Sequence, residues 1–146
     1  LERLPPVRLA LRAAVLNLPA RIPRQTKAFL NLWRFYMVLD YRTGHLSSSI
    51  SAVERHSIEM ARFVELMVRW PWLLDSLGAM RGEESAAART TLADLLDAVT
   101  DDERWARTVT TAGLRADDPA IRGMRTLFRR QGADREVFAS IAVRYL

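Results

Sequence analysis

The stretch PRQTKAFLNLWRFYMVLD, residues 23–40, decides the fold class. It opens with a proline, which the first turn of a helix tolerates because the N–H that proline lacks would be unpaired there anyway. Behind it, large apolar residues recur at the three-to-four spacing of one helix face. They are Phe29, Leu32, Trp33, Tyr36, and Leu39 or Val38. A strand would alternate apolar and polar residues instead, so the stretch predicts a long amphipathic helix.

The segments on either side show the same spacing. Upstream, a proline pair at residues 5–6 opens a helix and Pro19 closes it. Downstream, the serine run at residues 47–51 leads into a third helix, where Ser51 and Glu54 have the spacing of a capping box. Four more helical segments follow residue 85, so the chain is predicted to be all-α, a bundle of about six to eight helices.

The segment RGEES, residues 81–85, indicates a loop between the third helix and the later ones. It predicts an N-terminal helical subregion over residues 1–80 and a C-terminal helical subregion over residues 81–146. The two could also form one compact domain, since 146 residues suffice for a single core.

Composition limits the function classes. The chain has 22 basic and 17 acidic residues, and this excess permits an anionic partner, although acidic residues are interspersed through most of the sequence. The absence of cysteine excludes disulfides and thiolate metal sites. No run of eighteen apolar residues is free of charge, so no membrane span or membrane partner is expected. The absence of cysteine fits a reducing setting, and the predicted location is cytoplasmic.

The motifs of common active sites are missing. The sequence contains no phosphate-binding loop with its lysine, no dinucleotide fingerprint, no G-x-S-x-G and no H-E-x-x-H. Its two histidines, His45 and His56, have no cluster of further ligands in the sequence. His56 with Glu59 is interpreted as an exposed helix pair, and Asp101 and Asp102 as helix caps. No catalytic residue, metal or cofactor is therefore predicted.

Arginines gather on one side of the segment 119–131. Arg122, Arg125 and Arg129 share that side with Arg130 next to them, opposite an apolar side of isoleucine, methionine, leucine and phenylalanine. Such a surface could meet a nucleic-acid backbone or an acidic protein. The alternative is a solvated or intramolecular face.

The four tryptophans are predicted to be anchors of the core or of an interface. They are Trp33, Trp70, Trp72 and Trp105, and two of them flank Pro71 in a rigid turn. Core packing is the simpler interpretation, and a hot-spot patch for a partner is the alternative.

Two motifs resemble one protein family. Pro23, Arg24, Lys27, Phe29, Asn31 and Arg34 follow in order the pattern N-P-R-x-x-K-R-F-x-N-x-x-R, which opens a helix after the nucleotide-binding core of bacterial KAP-type P-loop ATPases and their STAND-like relatives. The R-W-P at residues 69–71 is similar to a later element of that family. Together the motifs cover about a third of the chain. Ile22 and Ala28 depart from the pattern.

The resemblance implies a helical lid and C-terminal region that lacks the catalytic core, consistent with a chain that begins with leucine. It implies that Arg24 and Lys27, on the first turn of the helix, sense a terminal phosphate supplied by a neighbouring ATPase domain of the same polypeptide. The alternative is that both cations are solvated or pair with acidic residues nearby.

Three function classes follow from the sequence. The preferred one is a non-catalytic regulatory or interaction module in bacterial signalling or defence, which couples nucleotide state to a protein partner or to assembly. The alternatives are an arginine-rich nucleic-acid-binding module and a death-domain-like adaptor that forms homo-oligomers.

Overall fold

The computed structural model describes residues 1–19, 22–72, 92–130 and 133–145. Within these ranges the regular secondary structure is helical, and no strand occurs. The seven helices are α1 (Pro5–Leu16), α2 (Pro23–Arg42), α3 (Ile50–Arg69), α4 (Leu92–Ala98), α5 (Asp102–Thr111), α6 (Pro119–Phe128) and α7 (Arg135–Tyr145). The predicted all-α bundle of six to eight helices is confirmed.

Local chemistry sets most helix starts. Proline occupies the first turn of α1, α2 and α6. The carboxylate of Asp101 accepts a hydrogen bond from the backbone N–H of Arg104 at 2.9 Å, which confirms its predicted role as a cap of α5. Asp118 caps α6 in the same way, because its Oδ1 accepts from the N–H of Ala120 at 2.7 Å.

The predicted capping box of the third helix is wrong. Helix α3 begins at Ile50 with Ser49 as its N-cap, so Ser51 and Glu54 already lie inside the helix. No side chain caps this end. The serine hydroxyls bond within the run instead: Ser49 Oγ lies 3.0 Å from Ser51 Oγ, and Ser47 Oγ accepts from the N–H of Ser49.

Helix α3 runs through the centre of the bundle. It packs against α1, α2, α6 and α7, while α4 packs against α5 and α7. Residues 59–66 of α3 are buried all round the helix, and the buried side chains of the described helices form one continuous apolar core. The centre of α3 also carries buried charges, which must find partners inside the protein.

The buried side of α2 differs from the predicted stripe. Phe29 and Trp33 are buried as expected, but the stripe continues through Met37 and Asp40. Leu32, Tyr36 and Leu39 are only partly buried, and Val38 is exposed. The reason is that α2 is apolar around much of its circumference, so spacing alone does not show which apolar residues face the core.

Three of the four predicted tryptophan anchors are buried, namely Trp33, Trp70 and Trp105. The indole N–H of Trp33 donates to the carbonyl of Ser57 at 3.0 Å, which joins α2 to α3. Trp72 is 42% exposed.

Helix α6 approaches Trp70 at a glycine. A Cβ atom on Gly123 would lie 3.1 Å from Cζ2 of Trp70, so a large side chain does not fit there. Gly123→Leu should lower the free energy of unfolding by about 2 kcal/mol, because overpacking displaces a helix or an indole. Urea unfolding measures this, with Thr126→Leu at an exposed position of the same helix as control. Equal stability of the two variants would contradict the packing described.

Two further predictions concern the division of the chain and its relation to membranes. The proposed boundary between residues 80 and 81 lies in 73–91, outside the described residues, and stays a prediction. Among the helices that are described, none is both long enough and apolar enough to span a membrane.

Candidate partner-binding face

Asp40 is a fully buried carboxylate at the end of α2. Its Oδ1 accepts hydrogen bonds from Arg144 Nη1 and from the Tyr145 hydroxyl, both at 2.5 Å, and its Oδ2 lies 2.6 Å from His56 Nε2. Burial acts to raise the pKa of Asp40, but the hydrogen bonds from Tyr145, His56 and Arg144 outweigh it and hold the pKa below its ordinary value of 3.8. Burial and the bond to Asp40 raise the pKa of Tyr145 to about 12. This cluster fastens α7 to α2 and α3.

Glu65 is a second buried carboxylate, on α3. Arg130 donates to it through its two terminal guanidinium nitrogens, with Nη1 2.9 Å from Oε2 and Nη2 3.1 Å from Oε1. Arg69, one turn further along α3, donates to Oε1 at 2.9 Å. The carboxylate therefore ties the segment after α6 to the central helix.

Glu59 is the third buried carboxylate. Its Oε1 accepts from Arg62 Nη1 at 2.6 Å and from the backbone N–H of Asp134 at 3.0 Å. Burial raises the pKa of Glu59, and the bonds from Asp134 and Arg62 offset that only in part. His56, interpreted from the sequence as the exposed partner of Glu59, bonds to Asp40 instead. These buried groups join parts of the chain, and each carboxylate accepts hydrogen bonds from the chain itself, although Glu59 Oε2 has no hydrogen-bond partner among the described residues.

The predicted arginine face on α6 is divided between internal and exposed roles. Arg125 Nε donates to the carbonyl of Val99 at 3.0 Å, and its Nη2 lies 2.8 Å from Asp102 Oδ1, which makes an ion pair without hydrogen-bond geometry. Its guanidinium also lies over the ring of Trp105, 5.2 Å from the centroid.

The other arginines of that predicted face also differ among themselves. Arg130 holds Glu65, whereas Arg122 and Arg129 are exposed. Two of the four predicted arginines thus serve the fold, and the segment does not present four free cations to a partner.

Helix α2 has an exposed side of a different kind. Large apolar side chains stand out from it, with Phe35 58%, Val38 56% and Tyr41 75% exposed. Arg24 and Lys27, the predicted phosphate sensors, are exposed at its start, and Arg42 is exposed at its end. We define the α2 face as the exposed residues Arg24, Lys27, Arg34, Phe35, Val38, Tyr41 and Arg42.

These residues recur at the three-to-four spacing that places side chains on one side of a helix. The α2 face contains no acidic residue, because Asp40, the only acid of α2, points into the core. Arg34 is paired with Glu2 through two hydrogen bonds of 2.5 and 3.0 Å. Within the ranges that the structure describes, Arg24, Lys27 and Arg42 have no ion-pair partner.

An open groove of about 380 Å³ adjoins the α2 face. The first three residues of the chain form one wall, and the other wall is made of α2 side chains: Trp33, Arg34, Met37 and Val38. The Glu2–Arg34 pair bridges the two walls. The groove gives this side of α2 a concave, largely apolar margin.

Charge is distributed unevenly along the chain. Residues 1–46 contain eight basic and two acidic residues, and those two acids are Glu2 and Asp40. The remaining hundred residues contain fourteen basic and fifteen acidic residues. The positive excess therefore belongs to the α1 and α2 region, a segregation that the charge balance of the whole chain does not reveal.

In the described part of the chain, no three His, Asp or Glu side chains come together in a way that could hold a metal ion. The chain matches no protein-family model, no curated protein and no solved structure.

Proposed function

We propose that this chain is a non-catalytic helical interaction module that binds an anionic, partly apolar protein surface through the α2 face. The observation that carries the proposal is the exposure of Phe35, Val38 and Tyr41 on a helix side whose charged residues are all basic. Exposed apolar side chains grouped on one surface are typical of protein interaction sites. Aromatic residues and arginine are the residue types that interfaces favour.

The buried clusters support the same proposal. Asp40, Glu59 and Glu65 each bind donors from other parts of the chain, so the bundle has its own polar connections inside. A bundle that is already folded presents a helix face without having to fold on binding, which limits the entropy lost when a partner docks.

Peptide display tests the proposal and does not require a named partner. A random peptide library selected on the wild-type chain should yield peptides of net negative charge. The affinity of these peptides for the double variant Arg24→Glu and Lys27→Glu should be at least about tenfold lower than for the wild type, because like charges then face each other across the contact.

The matched control is Arg122→Glu with Arg129→Glu, which makes the same change of net charge on α6. It should change the affinity by less than about twofold at moderate salt, where distant charges are screened. Equal loss in both double variants would mean that only net charge matters and would contradict a site on α2.

A second candidate is the nucleotide-sensing lid of a KAP-type P-loop ATPase. The observation that favours it is that Arg24 and Lys27 are exposed at the start of α2, where the first turn carries no acidic residue. Cations at this end oppose the helix dipole, so an anion beside them would relieve an unfavourable interaction. The gene sequence upstream of the codon for Leu1 tests this candidate: a Walker A segment there supports it, and an open reading frame without one overturns it.

A further inference from the structure

We infer that the partner element that docks on the α2 face is an acidic amphipathic helix, an inference that rests on the proposed function. Helix α2 has 20 residues and is therefore about 30 Å long. The cations of α2 that have no ion-pair partner among the described residues lie at its two ends, Arg24 and Lys27 at the start and Arg42 at the finish. The exposed apolar side chains lie between them.

The charge pattern requires acidic groups in two separate places. Lys27 and Arg42 are fifteen residues apart, which is about 22 Å along the helix. The only cation between them in the sequence is Arg34, which already forms an ion pair with Glu2. A fitting partner carries carboxylates about four turns apart and none opposite the middle of α2. The arginines suit carboxylates in particular, since a guanidinium binds both carboxylate oxygens, as Arg34 does with Glu2.

The apolar pattern requires a helix. Phe35, Val38 and Tyr41 follow at three-residue spacing and form a ridge along α2, and an amphipathic helix packs its own apolar stripe beside such a ridge. A peptide that binds by β-strand addition would need a sheet edge, and the described residues contain no strand. The ridge also lies closer to Arg42 than to Lys27, so the partner's apolar stripe should lie nearer to one of its two acidic ends.

Nucleic acid fits this surface less well. A phosphate backbone carries charge at short, regular intervals, whereas the middle of the α2 face offers Val38 and an arginine that is already paired. An anionic membrane would meet Glu2 and the polar Asn31 on the same side of α2. A second copy of the chain docking face to face would oppose cations to cations.

The test uses a synthetic 18-residue helical peptide with leucines along one stripe and glutamates in its first and last turns. Two versions place the leucines nearer one end or the other. A third peptide has the same composition in an order that destroys the helical stripe. Binding to the full chain is measured by fluorescence anisotropy, with oligo-dT of the same length and vesicles of phosphatidylserine and phosphatidylcholine as alternative ligands.

One of the two helical peptides should bind at least about tenfold more tightly than the scrambled one, as apolar contacts add to charge attraction. Val38→Asp should weaken that binding by at least about tenfold, and Arg42→Glu should weaken it by several-fold. The exposed control Arg129→Glu should leave it nearly unchanged.

Each contrary outcome overturns the inference in a recognisable way. If the scrambled peptide binds as well as the helical ones and Val38→Asp has no effect, the helical partner is wrong while an acidic partner for the α2 face survives. If oligo-dT or the vesicles bind more tightly through the α2 face, the acidic helix is wrong and the ligand belongs to another class. If no ligand responds to substitutions in the α2 face, both the inference and the proposed function fail.

Discussion

Asp40→Ala is expected to lower the free energy of unfolding by about 3 kcal/mol, the largest effect of any single substitution considered for this chain. The fully buried carboxylate accepts from His56, Arg144 and Tyr145, and alanine leaves these three donors without their shared acceptor. Arg144 is partly exposed and can turn toward water, which keeps the loss below that of a fully enclosed charge. Urea unfolding monitored by circular dichroism measures the change.

The pH dependence of stability distinguishes the effect of the Asp40 charge from the effect of its side-chain volume. Because the folded state holds the pKa of Asp40 below 3.8, its contribution to stability is present above that pH and is lost as the pH falls through the folded pKa. The advantage of the wild type over the isosteric variant Asp40→Asn should therefore be steady at higher pH and shrink as the pH falls below 3.8 and through the folded pKa. Asp97→Asn, which removes an exposed carboxylate of α4, serves as control. An Asp40→Asn variant as stable as the wild type at neutral pH would contradict the cluster.

Glu65→Gln is expected to lower the free energy of unfolding by about 2 kcal/mol, because a neutral amide cannot hold Arg130 in a two-bond ion pair. A double-mutant cycle with Arg130→Met isolates the pair itself. The two substitutions should show a coupling energy of about 1 kcal/mol or more, since each removes the interaction that the other also removes.

Arg129→Met provides the control for that cycle, because Arg129 is the exposed neighbour of Arg130 in sequence. Its effect should add to that of Glu65→Gln within about 0.5 kcal/mol. Additivity of Glu65→Gln and Arg130→Met would mean that the contact between α3 and the segment after α6 does not stabilise the fold.

Features encoded by nearby residues could be predicted from the sequence. Pro23 at the start of α2, Asp101 at the start of α5 and the apolar side of α6 all depend on residues within a few positions of one another. Local chemistry of this kind is visible in a single sequence. The predicted capping box of α3 was wrong even so, because the adjacent serines form hydrogen bonds with one another.

The buried carboxylates could not be predicted, because their partners are distant in sequence. Asp40 bonds to Arg144 and Tyr145, which are 104 and 105 positions further along, and Glu65 bonds to Arg130 at a separation of 65. One signal was present: Asp40 continues the buried spacing of Phe29, Trp33 and Met37 by one more turn. An acid at such a position indicates a buried partner but does not identify it.

Only part of the α2 face could be predicted from the sequence. Arg24 and Lys27 are recognisable as cations of the first turn, and both are exposed there. The exposure of Phe35, Val38 and Tyr41 could not be predicted, since α2 has apolar residues on several sides and its packing against α3 and α1 decides which of them are buried.

The most direct test of the α2 face is an amide shift map of the isotopically labelled chain, recorded while the acidic helical peptide is titrated in. We expect saturable shifts concentrated in α2, between residues 24 and 42, and in the first three residues beside the groove. Shifts concentrated around Arg122 and Arg129 on α6, or no saturable shifts at all, would contradict this expectation.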